Sequence, residues 1–137
     1  MHHLRPTPLA ALLLAACLLH HAALAAPLLR CHVSYAGSTQ TIEARPEADP
    51  YPVASMDIGG RFRFKAVMVA SLTQVDYIKL YTYLDTPRQP VLIQEAKYLA
   101  PFNATSAPYP LTGEQHLFAG PAERELIYSC TLEGVQP

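Results

Sequence analysis

The chain has 137 residues, of which 50% are hydrophobic and 15% charged, with 13 Pro, 6 Gly and no Trp. That suffices for one small domain with a single core, and it is too apolar for a disordered chain. Ten basic against eleven acidic side chains leave a formal charge of −1, which excludes a nucleic-acid binder working through a surplus of positive charge.

The first segment reads as an address. Arg5 and two histidines open the chain, and Leu9 to Leu19 is an unbroken apolar run. His20-His21 ends that run well short of the about 20 residues a membrane span needs. The small residues Ala22 to Ala26 follow, and Ala23-Leu24-Ala25 fits a signal-peptidase site. Residues 1–25 are thus expected to be a cleaved secretory signal, with residues 26–137 forming one domain. A second reading uses Leu14-Ala15-Ala16-Cys17, which resembles the lipobox of bacterial lipoproteins. That resemblance implies an acylated Cys17 as the first mature residue and a lipid anchor. Both readings place the folded part in the periplasm or outside the cell.

From there the pattern alternates with a period of two, as half-buried strands do. Leu29, Cys31, Val33 and Tyr35 share one face, and Arg30, His32 and Ser34 the other. Ala36-Gly37-Ser38 turns the chain into a polar edge strand, Thr39 to Ala44. Arg45 to Ser55 carries three Pro and reads as a loop. Met56 to Ile58 starts a strand that Gly59-Gly60 interrupts as a bulge or bend. It resumes over Arg61 to Ala70, with Phe62, Phe64, Ala66 and Met68 opposite Arg61, Arg63 and Lys65. In Val75 to Leu84, Ile78, Leu80 and Leu84 face one way, and Tyr77, Lys79, Tyr81 and Tyr83 the other. Val91 to Leu99 and Gln115 to Ala119 are further strands, separated by a loop from Ala100 to Glu114. Glu125 to Leu132 closes the domain with Leu126, Tyr128, Cys130 and Leu132 on one side.

About seven short strands with turns between them predict an all-β domain, a small antiparallel sandwich or barrel. Cys31 and Cys130 sit near the two ends of residues 26–137. In an oxidising compartment they are expected to form a disulfide tying the first strand to the last. The Tyr128-Ser129-Cys130 triplet is similar to the Y-x-C of immunoglobulin-type domains, which implies a sandwich of that general architecture. The chain lacks the Trp of those domains and has no strand after Cys130.

Chemistry is sparse. No nucleophile elbow, zinc-protease helix motif or phosphate loop is present, so no catalytic residue is assigned and the chain is not expected to be an enzyme. A small hydrolase would need a triad assembled in space around His116. A periplasmic copper protein would draw on His32, His116 and Met56, with Met68 on the apolar face, although these show no ligand spacing. No cofactor is expected. A recognition surface fits best. Tyr77, Tyr81 and Tyr83 form an aromatic row, because Tyr supplies large contact area at low entropy cost. Tyr51 and Tyr109 each sit in a Pro-Tyr-Pro triplet whose flanking prolines stiffen the backbone. Arg61, Arg63 and Lys65 add a basic stripe. The expectation is an exported binding or accessory protein of the bacterial envelope, contacting a protein or envelope component through these residues.

Overall fold

A computed structural model describes residues 25–72, 74–120 and 124–137. The leader run and Cys17 lie outside the described residues. Every regular element in the described part is a strand: β1 (Leu28–Tyr35), β2 (Ser38–Ala44), β3 (Pro46–Glu47), β4 (Met56–Ile58), β5 (Phe62–Ser71), β6 (Gln74–Leu84), β7 (Val91–Leu99), β8 (Tyr109–Pro110), β9 (Gln115–Ala119) and β10 (Arg124–Glu133). The seven longest of these are the seven strands expected from the alternation. The three shorter ones fall within, or break up, stretches read as loop or as one continuous strand.

The strands form two sheets. In the first, β1 is central between β2 and β10, and β8 and β9 both pair with the far side of β10. In the second the order is β3-β5-β6-β7, with β4 on the same flank of β5 as β3. The inner faces supply one core. Leu29, Cys31, Val33, Leu126, Cys130 and Leu132 come from the first sheet, and Phe62, Phe64, Met68, Ile78 and Leu80 from the second, all within 1% of complete burial. Two aromatic pairs join the layers: Tyr35 meets Phe62 edge-on at 5.2 Å, and Phe64 tilts against Tyr128 at 5.0 Å.

The expected disulfide is present. Cys31 and Cys130 are directly opposed in the β1–β10 register and bonded, with Cα atoms 4.0 Å apart. The bridge therefore ties neighbours within one sheet, whereas the antibody bridge spans two sheets. Closing a loop with a sequence separation of 99 stabilises the fold by about 4–5 kcal/mol on the chain-entropy view.

In two of the turns, consecutive residues both take a left-handed backbone. Ala36 and Gly37, at φ 50° and 81°, form the two-residue β1–β2 hairpin. Gly59 and Gly60, at φ 61° and 65°, reverse the chain completely. Of the bulge or tight bend expected here, the chain makes the bend, a tight turn between antiparallel β4 and β5. The Asp57 carboxylate caps it by accepting the Gly60 N–H at 3.0 Å. A pair of glycines that both take positive φ matches the twist of a hairpin better than the gentle bend of a bulge.

Candidate binding surface

The outer face of the second sheet carries the aromatic row. Alternation on β6 sends Tyr77, Lys79, Tyr81 and Tyr83 outward, because Ile78, Leu80 and Thr82 are drawn into the core. Register fixes the neighbours. Lys65 lies opposite Tyr81 and Arg63 opposite Tyr83 on β5, while Glu95 lies opposite Tyr81 and Lys97 opposite Lys79 on β7. The face is a lattice of tyrosines and cations.

Its contacts are specific. Tyr81 and Tyr83 lie nearly parallel, 16° apart in plane, with ring centres at 6.3 Å. Lys65 and Lys79 each sit over the Tyr81 ring, at 5.8 and 5.6 Å, and Lys97 sits over Tyr77 at 4.8 Å. Lys79 also pairs with Glu95 at 2.6 Å, a hydrogen bond that raises the ammonium above its ordinary pKa. Partial burial pushes the Tyr83 phenol up, so this ring stays uncharged at physiological pH. Arg63 is held by the Ser55 hydroxyl at 2.9 Å and by Asp85 at 3.5 Å.

The connection between β3 and β4 leans over this face. The Lys65 ammonium donates to the Pro50 carbonyl at 3.4 Å, and Val67 beneath it is 2% exposed although it points outward. Between this strap and the strand lies a cleft of about 150 Å³, lined by Tyr51, Lys65, Val67, Tyr77, Lys79 and Tyr81 with Pro50. Tyr51 overhangs it and is 90% exposed. An Asx turn, in which Asp49 accepts the Tyr51 N–H at 3.0 Å, sets the strap's direction.

Six of the eight residues read from the sequence as a contact surface thus converge here: Tyr51, Tyr77, Tyr81, Tyr83, Arg63 and Lys65. Arg61 does not join them. The Gly59-Gly60 turn delays the start of β5 to Phe62, so alternation does not govern Arg61, and its guanidinium packs beside Gly120 at the end of β9. Tyr109 is also elsewhere. It pairs through β8 with Leu132 on the first sheet and packs half-buried against the core, its hydroxyl accepting the Asn103 N–H at 3.3 Å. The two Pro-Tyr-Pro triplets therefore do different things, one projecting and one folding back. Lys97 and Glu95 belong to the surface but are not evident from the sequence. Their alternation on β7 is visible, yet only the β6–β7 register sets them beside the tyrosines.

The metal candidates are not assembled. His32 hydrogen-bonds Thr41 on β2, and Met56 is exposed on β4 in the other sheet. His116 on β9 has one ring nitrogen on Glu125 and the other on Glu114, so its carboxylates lie on opposite sides of the ring. Among the described residues no group of three or more His, Cys, Asp or Glu could hold a metal ion. No described helix is long and apolar enough to cross a membrane. The geometry defines a disulfide-clasped two-sheet β domain with one aromatic, cation-lined face. Compared with protein-family models, curated proteins and solved structures, the chain matches none of them.

Proposed function

We propose that this is an exported, non-catalytic binding protein of the bacterial envelope that recognises a protein or envelope component through the outer face of the second sheet. The observation that supports this reading best is the row Tyr77–Tyr81–Tyr83 with Tyr51 held above it. The half-buried aromatics and cations of that row, packed against one another on one sheet face, suit a recognition surface, because they have less side-chain entropy to lose on contact. The disulfide and the signal-like leader support a periplasmic or extracellular setting.

The test is photocrosslinking in the native envelope from a photoreactive residue placed at Tyr81, with a control at Thr39 on the outer face of the first sheet. One discrete adduct from position 81 that is missing from position 39 is expected. The same adducts from both positions, or none from either, would overturn the proposal.

A further inference from the structure

Strand β7 is the outer strand of its sheet. β6 pairs with one side of it, and no described strand pairs with the other. It runs for nine residues with no Pro inside, and Leu92 and Leu99 are 47% and 64% exposed. A free edge of that length is a template for another strand, since its outward N–H and C=O groups have no ladder partner.

The sequence of the edge is complementary to itself. Turned antiparallel about Ala96, a second copy of β7 sets its Lys97 opposite Glu95 and its Glu95 opposite Lys97. Gln94 then meets Tyr98, both on the core-facing side. A two-fold axis through Ala96 makes both halves of the contact identical, as an isologous interface requires.

A separate observation points the same way. Within one chain Lys97 directly opposes Lys79, a like-charge cross-strand pair that destabilises a sheet. Lys79 escapes by turning to Glu95 at 2.6 Å. Lys97 has only the Tyr77 ring, and among the described residues no carboxylate lies within ion-pair distance of it. The second copy's Glu95 arrives in the row where Lys97 lacks a carboxylate. Space is available too. An open groove of about 450 Å³ lies beside the end of β7, lined by Lys97, Tyr98 and Leu99 and faced by Phe102 and Tyr109.

We propose that the chain forms a two-fold dimer through antiparallel β7–β7 pairing centred on Ala96. The second sheets of the two copies become one continuous sheet. The paired segment runs from Gln94, just after the shift in the β6–β7 register, to Tyr98, shortly before the chain leaves the edge at Pro101. The two tyrosine rows then lie on one shared face. The dimer does not depend on what that face binds.

Sedimentation equilibrium of the purified protein from about 1 μM to about 1 mM covers the range in which a small interface dissociates. A reversible monomer–dimer equilibrium is expected. Lys97→Glu is the decisive single variant. It keeps the Lys79–Glu95 pair and exchanges the contact of Lys97 with the Tyr77 ring for an acid opposite Lys79, and circular dichroism checks that the fold is retained. It should weaken the dimer at least tenfold, because the substituted carboxylate then faces the carboxylate of Glu95 on the second copy. Adding Glu95→Lys should restore the association. A protein monomeric throughout that range, a dimer indifferent to Lys97→Glu, or a double variant that stays monomeric would each overturn the proposal.

Discussion

The phenol of Tyr128, on the last strand of the first sheet, donates a 2.7 Å hydrogen bond to Oε1 of Gln94 on the second sheet. Tyr128 is 1% exposed and its ring packs against Phe64, so this polar link crosses between the two sheets beside the core. In an immunoglobulin-type tyrosine corner the hydroxyl returns to nearby backbone, whereas this one reaches a side chain of the opposite sheet. Thr82, opposite Gln94 in register, has a buried hydroxyl without a partner among the described residues.

Two substitutions separate these roles. Tyr128→Phe removes a donor and strands the Gln94 carbonyl, which should cost about 1–3 kcal/mol in urea unfolding. Thr82→Val replaces an unpartnered hydroxyl with a methyl of similar size and should be neutral or stabilising. A Tyr128→Phe protein as stable as the parent would mean that the bond contributes nothing. Burial, the largest cause, also pushes the phenol up to about 12 from its ordinary 10. Tyr128 is therefore favoured neutral in the fold, and its contribution is complete below pH 10 and lost as pH rises towards 12. Ultraviolet titration of the parent against Tyr128→Phe should show that the variant lacks the last phenol to ionise, the phenols of Tyr83 and Tyr98 being raised by burial as well but less far.

Much of this architecture was legible because each strand of the core buries one side. The alternation of Leu29, Cys31 and Val33, and of Ile78 and Leu80, is imposed by the layer between the sheets and is written plainly in the chain. Short elements were not legible. Pro46–Glu47 and Tyr109–Pro110 are two-residue ladders that exist only because long strands pass beside them, and proline tolerates the edge position. The site was legible in part. Tyr77, Tyr81 and Tyr83 share a strand, so periodicity alone puts them together. Tyr51 and Lys97 reach the same face through a strap and a neighbouring strand. Those are long-range facts that no local pattern contains, and the same is true of Arg61, whose direction is decided by the turn before it.

That turn supplies a sharper comparison. A Cβ at Gly59 would stand 2.7 Å from Cδ1 of Tyr35, the ring that closes on Phe62, and its φ is already left-handed at 61°. Gly60 shares the left-handed backbone at 65° but has open space around it. Gly60→Ala should therefore cost about 1–2 kcal/mol for the backbone alone, and Gly60→Asn less. Gly59→Ala should cost more than Gly60→Ala, because the Tyr35 ring must also move. Denaturation midpoints would expose an error in this account if the two alanine variants proved equally destabilised.

His116 joins the β9–β10 pair to the turn before it. Its Nδ1 meets Glu125 on the neighbouring strand, and its Nε2 meets Glu114 at 2.9 Å. Both carboxylates favour the imidazolium, with the Glu125 hydrogen bond the larger cause, so the ring holds its proton above the ordinary 6.5. A raised folded-state pKa means that protonation stabilises the fold. That contribution is complete below pH 6.5 and disappears as pH climbs through the elevated value. The group lies in water, so the effect should be modest and should shrink with added salt. Proton NMR of the ring should give a midpoint in the folded protein above that of the same histidine in the urea-unfolded chain. Replacing His116 by Gln should flatten the decline of thermal stability between about pH 6 and pH 8. If the parent and the variant lost stability in parallel across that interval, the two carboxylates would not be holding the proton.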